Sequence, residues 1–122
     1  PAVQVVSGGF YFGIIRTISP IRIEGDFKGI IFCNNKVIID SKATVNGDIL
    51  CHEIVIGGIV DGNVICKNKC MLKENAVVSG VVRTVQFENE MDSSVSGPVY
   101  VNKENKHIDI DEYYDLFNKK EN

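Results

Sequence analysis

A short motif centred on glycine recurs five times along the chain and limits its fold more than any other feature. Each copy has an apolar β-branched residue two positions before the glycine, a polar residue directly before it and an apolar residue two positions after it. The five glycines are Gly25, Gly47, Gly62, Gly80 and Gly97, and the successive differences in residue number are 22, 15, 18 and 17. Repeats of this length are typical of stacked units that cannot bury their apolar face alone.

The residues around each glycine alternate between apolar and polar, which is the periodicity of a β-strand. A further strand signal lies between successive glycines, as in residues 54–56. Each repeat therefore holds about three short strands, which predicts an all-β fold, a parallel β-helix (solenoid) of about five to six coils with a triangular cross-section and the right-handed winding usual for parallel crossovers. The expected buried columns are Val45, Val60, Val78 and Ile49, Val64, Val82, and the expected exposed row is Asn46, Asp61, Ser79.

The first interval, from Gly25 to Gly47, is longer than the others. We expect an inserted loop of about four residues there, near Cys33-Asn34-Asn35, because asparagines favour turns.

Composition divides the chain into three segments, of which residues 19–101 are the predicted β-helix domain. Residues 1–18 are an apolar N-terminal segment or cap, and residues 102–122 are a polar tail. The apolar spacing in the tail predicts a short helix folded over the last coil, with a solvated tail as the alternative. The candidate residues for contact with a membrane or a partner are Phe10, Tyr11, Phe12, Ile14 and Ile15.

Four cysteines, Cys33, Cys51, Cys66 and Cys70, raise the question of a metal site. Cys51 and Cys66 each lie four residues after a motif glycine, so we expect them to stack on neighbouring coils and to point inward. Strand alternation turns His52 away from Cys51, and no paired CxxC is present. We therefore expect reduced core thiols, no metal, and a reducing compartment such as the cytoplasm.

The acidic residues that follow the motif glycines are the strongest catalytic candidates. Asp26 and Asp48, with Asn63 continuing the column, would bring two carboxylates together, as glycoside hydrolysis requires. An Asx residue after a glycine also favours a turn, and the asparagine at the third site indicates that role. Neither His52 nor His107 has a supporting nucleophile or acid at suitable spacing. We predict that the protein is not an enzyme and needs no cofactor.

Charge and hydropathy limit the partners. The net charge is −3 and basic residues do not cluster, which disfavours binding to nucleic acid. No apolar run approaches the length of about 18 residues that a membrane-spanning helix needs.

The chain resembles the bactofilins, a family of bacterial cytoskeletal proteins that form polymers. The resemblance is carried by residues 23–26, 43–49 and 56–64, where the sequences IEGD, ATVNGDI and IGGIVDGNV occur, and it covers about residues 19–101. It implies a right-handed β-helix that joins end to end into filaments without a nucleotide, often at the inner membrane. It also implies a scaffold for cell-wall enzymes or for cell shape, with further copies of the chain as the main partner.

An open β-helix also favours polymerisation on physical grounds, because its end coils expose unpaired backbone groups and apolar side chains. The candidate polymerisation residues are Ile21, Ile23 and Phe27 at one end and Val95, Val99 and Val101 at the other. Pro98 removes a backbone donor and is best tolerated near an edge, which places it at the end of the rod.

Three alternatives stay open: an acyltransferase-like enzyme built on a left-handed β-helix, a capped β-helix that acts as a binding module, and a secreted adhesin-type β-helix. The hexapeptide coils of the first alternative would have lengths that are multiples of six. Three of the intervals between glycines, at 15, 17 and 22, depart from that rule.

Overall fold

Short strands separated by tight corners stack in parallel and form a β-solenoid of about six turns. The computed structural model describes residues 3–121, with only the backbone described for Glu121. The strands are β1 (Val3–Val5), β2 (Phe10–Thr17), β3 (Ile21–Ile23), β4 (Asp26–Ile39), β5 (Thr44–Asn46), β6 (Ile49–Ile56), β7 (Ile59–Asp61), β8 (Val64–Cys66), β9 (Lys69–Leu72), β10 (Val77–Val78), β11 (Val82–Thr84), β12 (Gln86–Asn89), β13 (Ser94–Val95) and β14 (Val99–Val101). A 3₁₀ helix (Lys103–His107) and the helix α1 (Ile110–Glu121) follow.

The solenoid has three faces, each made of six parallel segments in register. Face A consists of the start of β2, the start of β4, β5, β7, β10 and β13. Face B consists of the end of β2, the middle of β4, the start of β6, β8, β11 and β14. Face C consists of β1, β3, the ends of β4 and β6, β9 and β12. The predicted parallel β-solenoid is confirmed, while its right-handed winding stays a prediction.

The core is a set of columns that run along the rod axis, as the alternation predicted. On face A, Val45 pairs with Val60 and Val60 with Val78. On face B, Ile49 pairs with Val64 and Val64 with Val82. All six residues of the two predicted columns are fully buried. The polar row of Asn46, Asp61 and Ser79 is exposed, so the predicted inward and outward directions are confirmed.

The alignment of the first repeat was wrong by four positions. Phe27, rather than Ile23, pairs with Val45, which places Gly29 rather than Gly25 in the column of Gly47. The interval from Gly29 to Gly47 equals that from Gly62 to Gly80, so the predicted insertion is absent. The register instead shifts by one position between Cys33 and Lys36, at the two asparagines.

The glycine column marks the corner between faces A and B, where successive coils come closest. Gly29 and Gly47 have φ angles of +142° and +145°, which only glycine adopts readily. A Cβ on Gly47 would also collide with the carbonyl oxygen of Gly29 in the preceding coil. Both the backbone conformation and the contact therefore require glycine there.

Helix α1 packs on the outer side of face B. Ile110 is 1% exposed and lies against the outward-facing Phe32 and Leu50, while Tyr114 and Phe117 pack at the edge of the same cluster. The ring centroid of Tyr114 lies 5.2 Å from that of Phe32 in an edge-to-face arrangement. Asp111 accepts hydrogen bonds from Arg16 at 3.3 Å and Asn34 at 2.9 Å, which ties the helix to the first two coils. The helix thus lies along the side of β4 rather than over the last coil.

Candidate assembly surfaces at the two ends of the rod

The N-terminal end of the rod is formed by the first coil, which consists of β1 and β2. Within the described residues, β1 pairs with β3 alone and β2 with β4 alone. Each strand therefore keeps one edge of backbone donors and acceptors without a strand neighbour. Such an edge is a template for a further strand.

The candidate contact residues of this coil separate into two groups. Phe10, Phe12 and Ile14 point outward, and 66%, 80% and 52% of their surfaces are exposed. Tyr11 pairs with Phe27 and Ile15 with Ile31, so these two continue the interior columns to the end of the rod. The outward group forms a lateral apolar patch, whereas the inward group forms part of the end surface.

Three of the candidate polymerisation residues do not lie at an end. We expected residues 21–27 to have a neighbouring coil on one side only, and this expectation is wrong. β3 pairs with both β1 and β4, and Phe27 lies between Tyr11 and Val45. Ile21, Ile23 and Phe27 are accordingly buried. The physical reason is that the apolar N-terminal segment forms a complete coil in register instead of leaving the motif coil open.

The C-terminal end is formed by β12, β13 and β14, each of which pairs, among the described residues, with one strand of the preceding coil. Val95 and Val99 continue the buried columns but are only partly buried, and 55% of the surface of Val101 is exposed. Phe87 on face C is also only partly covered. The apolar interior of the rod is thus open at this end.

Pro98 causes no loss of hydrogen bonding at its position. In the earlier coils the N–H at this corner bonds to a side chain below it: Asn63 donates to Asp48 at 2.9 Å and Val81 donates to Asn63 at 2.8 Å. Val81 has no side-chain acceptor to offer to the next coil, and Pro98 has no N–H to donate. Its carbonyl still accepts from the N–H of Val82 at 3.0 Å.

The pair of stacked carboxylates expected at Asp26 and Asp48 does not form. Asp26 pairs with Thr44, so it lies in a different column from Asp48. The side-chain oxygens of Asp48 and Asn63 instead accept hydrogen bonds from the backbone N–H groups of Asn63 and Val81, as expected for a turn-forming Asx residue. This column stabilises the stacking of coils and offers no acid–base pair.

Three cysteines stack in one interior column of face B, where Cys33 pairs with Cys51 and Cys51 with Cys66. All four cysteines are free and buried, and the predicted inward stacking of Cys51 and Cys66 is confirmed. Cys66 donates to the carbonyl oxygen of Lys69 at 3.1 Å. Burial raises the pKa of Cys33, Cys51 and Cys70, while a hydrogen bond from the Cys51 thiol lowers the pKa of Cys66.

Metal-ligand chemistry and membrane-spanning helices have no counterpart in residues 3–121. His52 is exposed while its neighbour Cys51 points inward, and His107 lies 3.7 Å from Glu104 at the surface. No group of three or more potential metal ligands occurs in this range. None of its helices has the length and apolar character needed to cross a membrane.

The apolar strip beneath α1 was not recognised from the sequence. Phe32, Leu50 and Ile65 occupy one outward column of face B, and they appear in the sequence as ordinary members of apolar runs. Their column becomes visible only when the residues that alternate with the buried ones are aligned at the same strand position. That alignment required the correct register of the first repeat.

Comparisons with known proteins identify the family. A family model for bactofilins, described as polymer-forming cytoskeletal, matches residues 5–100. No curated protein and no solved structure gave a significant match. The matched range includes both rod ends and most of the solenoid between them. The chain therefore belongs to the bactofilin family of polymer-forming cytoskeletal proteins.

Proposed function

We propose that this protein is a bacterial cytoskeletal scaffold whose rods join end to end into filaments without a nucleotide. One observation carries the proposal: among the described residues, the strands of both end coils pair on one side only, and the apolar interior columns of faces A and B continue to each end. Membership of a polymer-forming family supports self-association and favours a structural role over an enzymatic one.

End-to-end growth follows from the same contacts that stack coils within the rod. A further coil would pair with the free edges of β12 to β14 at the usual strand spacing of about 4.8 Å. It would also cover Val95, Val99 and Val101, whose side chains are only partly buried or exposed. Strand pairing and apolar burial need no nucleotide, so polymerisation should depend on protein concentration alone.

The test is a charge placed in the inward column of the last coil. Val99→Lys should leave the interior coils intact and reduce the fraction of protein that sediments as filaments, because a lysine would be buried without a partner at the junction. Ser96→Lys places the same charge on the outward side of that coil and should leave assembly unchanged. Wild-type protein that stays monomeric at high concentration without nucleotide would reject the proposal and favour a capped binding module.

The outward patch of the first coil supports a second contact, with the inner membrane surface or a partner protein. Phe10 and Phe12 are exposed on face A of the rod end, and Ile14 is exposed just past the corner at Gly13. Aromatic side chains favour the membrane interface. In vesicle co-sedimentation, Phe12→Glu should reduce binding, whereas Asp61→Ser on the same face should not. Equal binding by both variants would remove the membrane from the proposal.

We place the filaments in the cytoplasm, where they would position cell-wall enzymes or contribute to cell shape. Four free thiols support a reducing compartment. Fluorescence microscopy of a tagged protein tests this placement, and a diffuse signal that does not change when Val99→Lys is introduced would argue against a filament in the cell.

A further inference from the structure

The outward sides of the three faces differ in a way that end-to-end assembly does not explain. On face A, the central outward column is polar and includes Asn46, Asp61 and Ser79. On face B, the corresponding column is apolar in its middle coils, and α1 covers it. Face C also has an apolar outward column, but α1 packs elsewhere. The chain therefore covers the apolar strip of face B and leaves that of face C open.

The open strip, here called the face C strip, consists of five residues in register on successive coils. Arg22 pairs with Ile38, Ile38 with Val55, Val55 with Met71, and Met71 with Glu88. The three central side chains are partly exposed, and they alternate with fully buried neighbours on the same strands. A groove of about 350 Å³ runs beside Ile38 and Val55 and is lined by solenoid residues alone.

Opposite charges stand at the two ends of this five-residue strip, and Gln4 of the first coil continues the column beyond Arg22. Arg22 is held by Asp40 at 2.9 Å and by Glu24 at 3.3 Å, and 49% of its side chain stays exposed. Glu88 is held by Lys69 at 3.2 Å, and 54% of its side chain stays exposed. Both charged groups are thus fixed in place by their own rod and still have surface available for another partner.

We infer that the face C strip pairs with the same strip of a second copy of this chain lying antiparallel beside the first. A two-fold axis that runs parallel to the strands, between the two rods and at the level of Val55, would set Val55 against its own copy. The same axis would set Ile38 against Met71. The same axis brings Arg22 of each rod to Glu88 of the other. The strip is therefore complementary to itself in both charge and shape, as a two-fold interface requires.

The parallel arrangement of two rods lacks this complementarity. Two parallel rods in register would place Arg22 against Arg22 and Glu88 against Glu88, and facing like charges disfavour such a complex. Charge thus selects the antiparallel pair. End-to-end growth does not distinguish these arrangements, so the side-by-side pairing goes beyond the proposed filament.

The size of the strip indicates that one pair of rods associates weakly. Five strands at about 4.8 Å and a width of about four residues give roughly 300 Å² per rod, less than half of what each partner buries in a standard interface. Filaments would repeat the contact at every subunit, and linked weak contacts add up to stable association. Pairing should accordingly be strongest between filaments.

Engineered cysteines test the geometry directly, because all four native thiols are buried. Under mild oxidation, filaments of the Val55→Cys variant should give cross-linked dimers. A mixture of Ile38→Cys and Met71→Cys proteins should cross-link at least fivefold more than either protein alone. The control is Ile59→Cys, an exposed outward position of the same central coil on face A.

Two results would overturn the inference: Ile38→Cys protein that cross-links alone as well as in the mixture, or yields no higher than those of the Ile59→Cys control. Glu88→Arg should reduce the Val55→Cys yield at least fivefold, whereas Asp61→Arg, at an exposed carboxylate on face A, should not. An unchanged yield with Glu88→Arg would also count against the inference. Sedimentation reports end growth separately, so failure of the filament proposal and failure of side pairing are distinguishable.

Discussion

The glycine column allows a matched pair of substitutions that separates backbone strain from steric contact. Gly13 and Gly47 have nearly the same φ, +141° and +145°. A Cβ on Gly47 would collide with the carbonyl of Gly29, whereas a Cβ on Gly13 would meet nothing within 4 Å, because no coil precedes this one among the described residues. Gly13→Ala therefore carries the strain alone, and Gly47→Ala carries the strain and the collision.

The two free energies of unfolding should differ by the cost of the collision. Placing alanine in a glycine-only region costs about 1–3 kcal/mol at either position. Moving the Gly29 carbonyl away from an interior Cβ adds about 1–3 kcal/mol, the usual cost of overpacking. At about 4 °C per kcal/mol, Gly13→Ala should lower the melting temperature by roughly 4–12 °C and Gly47→Ala by roughly twice that. Equal losses, measured by thermal unfolding, would refute the role given to the contact.

Gly13→Ala also tests the N-terminal end as an assembly surface. In the interior coils the added Cβ points toward the preceding coil, so at Gly13 it points to where a further coil would lie. We expect the variant to fold and to lose filaments in a sedimentation assay. Gly8→Ala is the control, since Gly8 also has a positive φ and open surroundings but lies in a turn outside the column. Filaments of normal length with Gly13→Ala would show that no coil stacks on this end.

The other predictions concern the core, the thiols and the tail. Val60→Asp should abolish cooperative unfolding, because it buries an unpaired carboxyl at a cost of several kcal/mol in a domain of about 5–15 kcal/mol total stability. Asp61→Ser, at the exposed neighbouring position, should shift the melting temperature by only a few degrees. Equal effects of the two substitutions would reject the inward and outward assignment. Because burial raises the pKa of Cys33 and Cys70 in the folded state, the unfolded state releases these protons first, and stability should fall as pH rises above about 8.5. The Cys51–Cys66 pair is left out of this prediction because its two pKa shifts have opposite directions. A flat stability curve to pH 10 would contradict the prediction. Deleting residues 103–122 should uncover the apolar strip of face B and increase aggregation without lengthening filaments; longer filaments would show that the tail limits growth.

The sequence was sufficient for the parts of the fold that repeat locally. The positions of Val45, Val60 and Val78 follow from alternation around a glycine, and that rule acts within a few residues. Gly25 satisfied the same local rule, since it follows an alternating pair and precedes Asp26, yet the pairing of Phe27 with Val45 assigns the column to Gly29. Register depends on the total fit between coils, which no single motif contains.

The position of α1 could not be predicted for a related reason. The spacing of Tyr113, Leu116 and Phe117 indicates a helix, but the surface that receives it is assembled from Phe32, Leu50 and neighbours on separate coils. In the structure Phe117 packs against the solenoid, while 45% of Tyr113 and 56% of Leu116 remain exposed. Helical spacing therefore predicted the helix correctly but identified only part of the face that the helix buries.

The first coil has the form expected of an end that adds further subunits, rather than the form of a capping element. A capping element departs from the repeat, because its purpose is to prevent the next coil from pairing. In this chain Tyr11, Gly13 and Ile15 occupy the same three columns as Phe27, Gly29 and Ile31 in the next coil. The N-terminal end thus has the form of an interior coil with no coil before it among the described residues. At the C-terminal end, faces A and B keep the same register, while on face C Asn89 takes the place of the inward Leu72. The information needed to add a subunit is therefore the pattern that stacks one coil on another within a single rod.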